Sequence, residues 1–98
     1  MVTAETTFGG YAESIIIYPN EYDQLEIHGV SEEPDGYGGT ACEINDENPE
    51  FYSVYAHLKE GGVECIGDFR TPADAMAYAS ANSVRYGWPI ESHHHMPH

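Results

Sequence analysis

From residue 11 to residue 69 the chain offers one β-type segment after another, and a helix is legible only after Thr71. Parallel strands need a crossover between them, usually a helix. That order leaves a mainly antiparallel sheet of four to five strands with one C-terminal helix packed on one face, class α+β. Ninety-eight residues suit a single domain. Its expected extent is residues 1–90, followed by a flexible His-rich tail over residues 91–98.

Residues 11–18 are β-branched and aromatic and stop at Pro19-Asn20, which predicts a strand and a turn. Residues 24–30 alternate, with Leu25 and Ile27 on one face and Glu26, His28 and Val30 on the other, so a half-buried strand is expected. The first strand reaches the second through a short hairpin at residues 19–23. Residues 31–40 read as a loop around Pro34-Asp35-Gly36 and a Gly-Gly pair. Residues 41–44 are a short strand, followed by an acidic loop at 45–50.

Residues 51–59 and 63–69 form a hairpin around Glu60-Gly61-Gly62. The face carrying Val54, Leu58, Val63, Cys65 and Phe69 is the expected core side. Thr71 caps a helix, Pro72 opens it, and Gly87 stops it in the left-handed conformation. Ala75, Met76, Ala79, Ser83 and Tyr86 follow the spacing of a buried stripe. Residues 88–90 either extend as a last strand or pack against the helix end.

Charge carries the functional argument. Residues 1–58 hold twelve acids (Glu5, Glu13, Glu21, Asp23, Glu26, Glu32, Glu33, Asp35, Glu43, Asp46, Glu47, Glu50) and no Lys or Arg. The whole chain carries −14, with Lys59, Arg70 and Arg85 its basic residues apart from histidine. Such a balance argues against nucleic acid or an anionic membrane as a direct partner. Solubility alone asks for a net charge of roughly 2–8 in a small domain. Duplex DNA carries one charge per ~1.7 Å, so fourteen charges match roughly 24 Å of duplex. A compact chain of this length is on the order of 30 Å wide. The two charge densities are comparable.

Other chemistry is weakly represented. The acidic loops lack the spacing of an EF-hand, and His93-His94-His95 with His98 form no preformed site. Cys65 and His57 point to opposite faces in a regular alternation, and a strand cysteine is more often a small buried hydrophobe. No Walker-type loop, Gly-x-Gly-x-x-Gly or Gly-x-Ser-x-Gly elbow occurs. No cofactor is expected. Two cysteines, Cys42 and Cys65, make no disulfide framework. With no export signal or spanning segment legible, a cytoplasmic location is expected.

Residues 51–90, above all Tyr55-Ala56-His57-Leu58-Lys59-Glu60-Gly61-Gly62-Val63-Glu64-Cys65-Ile66-Gly67-Asp68-Phe69, Thr71-Pro72-Ala73-Asp74-Ala75 and Tyr86-Gly87-Trp88-Pro89-Ile90, resemble small uncharacterised accessory proteins of bacterial plasmids, phages and genomic islands. The resemblance implies a mobile-element setting, in which acidic inhibitors of restriction or CRISPR complexes are frequent.

The expected function is a small, acidic, non-enzymatic binding module, a DNA mimic whose partner is a basic, nucleic-acid-binding protein. The residues expected to carry binding are Glu32, Glu33, Asp35, Asp46, Glu47 and Glu50, on two loops flanking the strand at 41–44. The alternatives are a structural or oligomeric α+β protein, with a homodimer as its partner state, and a metal-binding protein.

Overall fold

A computed structural model describes residues 9–34, 36–45 and 47–92. The sheet is organised by β2 (Tyr22–Pro34), thirteen residues long. Along one edge β2 pairs antiparallel with β4 (Phe51–Leu58), from Tyr22 opposite Leu58 to Val30 opposite Phe51. Its other edge is shared. Val30 to Pro34 pair antiparallel with β3 (Thr40–Ile44), while Leu25 to Ile27 pair in parallel with β6 (Ile90–Ser92). On the far side β4 pairs with β5 (Val63–Phe69), and β5 with β1 (Gly9–Gly10). The order is β1-β5-β4-β2-β3, a mixed sheet with β6 joined to β2 and the C-terminal helix α2 (Pro72–Tyr86) packed against it. Among the described residues no helix is long and apolar enough to cross a membrane.

β2 is longer than the alternation at 24–30 suggests. Ser31 to Pro34, expected in a loop, continue the strand because β3 supplies their partners. The expectation of no crossover also fails, because β6 follows the helix. Two antiparallel steps make β5 parallel to β2, so α2 is the crossover that delivers β6 parallel beside β2. Ile90, Glu91 and Ser92 thus belong to a strand, and the expected tail loses its first two residues to the sheet.

Residues 11–18 form no strand. Helix α1 (Ala12–Ile15) and a 3₁₀ turn (Pro19–Glu21) occupy this region. Ala12 and Ile16 are buried and Ile15 packs against the core, an i, i+3, i+4 spacing, while Ile17 and Tyr18 face solvent. Short apolar runs are ambiguous between strand and helix. Here the edge of β5 accepts Gly9 and Gly10, the Tyr11 N–H donates to the Ile66 carbonyl (2.8 Å), and the chain then turns to bury alternate sides. The hairpin expected at 19–23 therefore does not exist.

The Thr71 hydroxyl accepts the Asp74 backbone N–H (3.1 Å), as expected of the cap. Helix α2 buries Ala75, Ala79 and Asn82 rather than Met76, which is 41% exposed. Tyr78 lies between that stripe and the sheet. Its ring packs on Phe69 with centroids 5.1 Å apart, and its hydroxyl accepts the Ala12 N–H (3.0 Å). A Cβ on Gly10 would overlap the Tyr78 ring, and one on Gly67 would crowd both Tyr78 and Phe69. Glycine at these two positions lets the helix approach the sheet edge.

At the other end of α2, Gly87 adopts φ +80° and donates its N–H to the Ser83 carbonyl (2.8 Å). The turn folds Trp88 back onto Tyr86, stacked at 4.6 Å, and against Tyr22 at 5.6 Å. The Leu25 N–H then donates to the Pro89 carbonyl (2.8 Å), which starts the pairing of β6. Tyr22, Leu25, Ile27, Val54, Ala56, Ile66, Ala75, Ala79 and Trp88 are members of one core.

Charge placed on the true stripe should separate the two helix faces. Ala79→Asp buries an unpaired carboxylate and should cost about 3 kcal/mol or more. Met76→Asp should stay within about 1 kcal/mol, and urea unfolding of both variants measures the difference. Tyr22 gives a second check. Burial, helped by the Glu64 carboxylate that accepts its hydroxyl proton (2.6 Å), pushes its pKa up to about 12 from the ordinary 10. The associated stability is complete below pH 10 and is lost as pH rises through 12. Tyr22→Phe should flatten the decline of stability in that window, as measured by unfolding at stepped alkaline pH.

Candidate functional site

The outer edge of β2 with β3, β6 and the adjoining loops gathers acids and holds no Lys or Arg. Asp23, Glu26, Glu32 and Glu33 come from β2, Glu43 from β3, Glu91 from β6, and Glu47 and Glu50 from the loop before β4. The three cationic residues stand elsewhere: Lys59 after β4, Arg70 after β5 and Arg85 on α2.

Of the six acids expected to bind, the structure relocates two. Glu32 and Glu33 are strand residues of β2, opposite Cys42 and Ala41, and not loop residues. Glu47 and Glu50 are exposed and do belong to the loop between β3 and β4. Asp35 and Asp46 lie outside the described residues. The two acidic stretches join opposite ends of β3, so they are strung along the edge rather than collected at one point. A five-residue strand separates its ends by about 14 Å. Glu50 nevertheless reaches Glu32. Its backbone N–H donates to the Val30 carbonyl (2.8 Å), and its Oε1 accepts the Glu32 backbone N–H (3.3 Å). The carboxylate thus continues the hydrogen-bond ladder past the start of β4.

Glu91 is the acid that the sequence reading assigned to the tail. β6 sets it directly beside Glu26, and two like charges at that spacing repel. Gln24 Nε2 lies 3.5 Å from a carboxylate oxygen of each, and His28 Nε2 lies 3.0 Å from the other oxygen of Glu26. The parallel pairing that creates this site spans residues far apart in sequence, so no local signal announces it. Asp23 pairs with His57 of β4 (2.8 Å), and away from this edge Glu13 of α1 pairs with Arg85 of α2 (3.0 Å).

The sheet face opposite α2 carries a second polar cluster. β5 bulges at Ile66, since Tyr55 is opposite Cys65 while Val54 is opposite Gly67. Val63 and Cys65 consequently share the face of His57 and Tyr55, contrary to the expectation that they join Val54 and Leu58 in the core. Ile66 takes the core position instead. The bulge also brings Cys65 and Asp68 to one face, although a regular strand sends residues three apart to opposite faces.

Asp68 is the acceptor at the centre of that cluster. Its Oδ2 accepts from the Tyr11 hydroxyl (2.7 Å), and its Oδ1 accepts from the buried Ser53 hydroxyl (2.6 Å) and from the Cys65 thiol (3.5 Å). The Tyr11 oxygen lies 3.1 Å from Cys65 Sγ. Burial is the main cause that pushes the Cys65 thiol up. Burial and the bonds to Cys65 and Asp68 likewise push the Tyr11 phenol well above the ordinary range. Ser53, His28 and Asp68 stand in one row across three strands, yet they form no relay. Ser53 donates directly to Asp68, and His28 turns to Glu26. His57 shares the face of Cys65 but pairs with Asp23.

Among the described residues no group of three or more His, Cys, Asp or Glu side chains is placed to hold a metal ion. His93, His94, His95 and His98 lie outside the described residues. No family model matches the chain, and no curated protein and no solved structure matches it either.

A protonated, half-buried thiol should react slowly. In a Cys42→Ser background, alkylation of Cys65 at neutral pH should be slower in the folded protein than in urea, by about tenfold or more. Mass spectrometry of timed samples gives both rates, and equal rates would show that the thiol is neither shielded nor held.

Proposed function

We propose that this chain is a small, non-enzymatic binding module whose acidic β2–β3–β6 edge engages a basic, nucleic-acid-binding protein in place of a DNA backbone. The observation that carries this reading is the placement of charge. The fold gathers acids from β2, β3, β6 and the loop before β4 along one edge that holds no cation. The molecule extends 40 Å along its longest axis. A duplex of that length carries roughly 24 charges, so the chain's −14 amounts to about three-fifths of its linear density.

A partner that holds phosphates with Lys and Arg would meet here acidic residues carried by β2, β3, β6 and the loop before β4. Long-range attraction makes such an association fast and sensitive to salt. Restriction and CRISPR complexes are the partner class that the mobile-element resemblance favours. The setting accounts for a net charge beyond the needs of solubility, at the cost of self-repulsion within the fold.

The test is a series of charge changes along the edge. Glu32→Lys, Glu33→Lys, Asp35→Lys, Asp46→Lys and Glu47→Lys reverse charge, while Glu50→Gln removes charge but keeps the acceptor for the Glu32 N–H. Glu47 and Glu50 are exposed, and exposed carboxylates contribute little to folding; circular dichroism of every variant should be unchanged. Inhibition of DNA cleavage by a restriction or CRISPR complex should weaken step by step, and binding should fall as salt rises. Inhibition that survives all six changes, or a partner held equally well at high salt, would refute the reading.

A further inference from the structure

Between α1 and the C-terminal half of α2 lies a cleft of about 450 Å³, lined by none of the acids of the proposed binding edge. Its volume falls within the roughly 300–1,000 Å³ of small-molecule sites. Its polar groups are unevenly satisfied. Asn82 lines the cleft and is 5% exposed, and its Nδ2 donates to the Tyr78 carbonyl (3.0 Å). A carbonyl oxygen can only accept, so the amide end facing it is the NH2, which fixes the orientation of the amide. The Asn82 Oδ1 is then left without a protein donor among the described residues, and a buried acceptor without a partner is costly.

Two donors complement that acceptor. The Tyr78 hydroxyl accepts the Ala12 N–H and keeps its own proton for another acceptor. Arg85 spends one Nη1 bond on Glu13 Oε2 (3.0 Å), and its guanidinium sits 5.2 Å from the centroid of the Tyr86 ring. Its remaining N–H groups have no protein acceptor among the described residues. The cleft therefore presents a cation and an anion side by side at its rim. Ala81 adds an uncharged wall.

We propose that this cleft binds a free α-amino acid, with the ligand carboxylate on Arg85 and the Tyr78 hydroxyl and the ligand ammonium between Glu13 and the Asn82 Oδ1. A simple anion meets the Glu13 carboxylate and the net charge of −14. A simple cation meets the Arg85 guanidinium. A zwitterion whose charges are a few ångströms apart matches the adjacent pair, and it supplies the donor that the buried Asn82 carbonyl lacks.

The experiment uses the full chain, labelled with ¹⁵N and titrated with each proteinogenic amino acid up to about 10 mM. At least one should shift the amides of residues 10–14 and 78–85 in a saturable way. Arg85→Gln and Glu13→Gln alter partly exposed side chains and leave the core intact. Each should weaken binding by about tenfold or more. The same amino acid without its amine, or without its carboxylate, should bind weakly by a similar factor. No saturable shift with any amino acid overturns the proposal. So does undiminished binding in either variant, or equal binding of the deaminated acid.

Discussion

The two edges of β2 set the terms for everything around it. Leu25 and Ile27 are buried on the helix side of β2, in the stretch that is flanked by β4 on one edge and by β6 on the other. A strand of thirteen residues cannot leave its outer edge unpaired in the part that carries the core, because buried amides without partners are costly. The chain meets this need twice along one line, with β3 continuing where β6 ends. The crossover through α2 is what makes the second pairing available. It depends on the Gly87 turn, which aims Trp88 into the core and Pro89 at Leu25.

The opposite half of the sheet is adjusted by small features. The bulge at Ile66 keeps an apolar residue in the core and turns Cys65 outward beside Asp68. Gly10 and Gly67 open the space that the Tyr78 ring fills. Tyr78 then ties the helix to the N-terminal segment through the Ala12 N–H, so one side chain joins α2, β5 and α1. The cleft between α1 and α2 adjoins this contact, lined by Gly10 to Ser14 on one side and by Tyr78, Ala81, Asn82 and Arg85 on the other.

A chain of −14 must also distribute its repulsion. It does so by keeping most acids at the sheet edge and on loops, while α2 carries Asp74 in its first turn and Arg85 in its last. Those two positions suit the helix dipole. Where acids do face each other, as Glu26 and Glu91 do, Gln24 lies between them and His28 takes the remaining oxygen of Glu26. The same edge that concentrates charge is thereby kept compatible with a paired strand.

Much of the fold was legible because its signals are local. Thr71, Pro72 and Gly87 bound α2 by their own backbone chemistry, Gly61 and Gly62 permit the hairpin, and the alternation of residues 24–30 assigns Leu25 and Ile27 to the core. The absence of cations before Lys59 is likewise a property of the sequence. What tertiary structure decided is whatever depends on a distant partner. Residues 12–15 are helical because the chain leaves the β5 edge after Gly10 and turns Ala12, Ile15 and Ile16 onto the core, and Ser31 to Pro34 became strand because β3 pairs with them. Met76 lost its core place to Asn82 because packing chose between two adjacent faces of the helix. Glu91 joined the acidic edge, and Cys65 left the core, through a crossover and a bulge. Register and pairing are set by contacts between residues far apart in the chain, and a shift of one residue moves every later side chain to the other face.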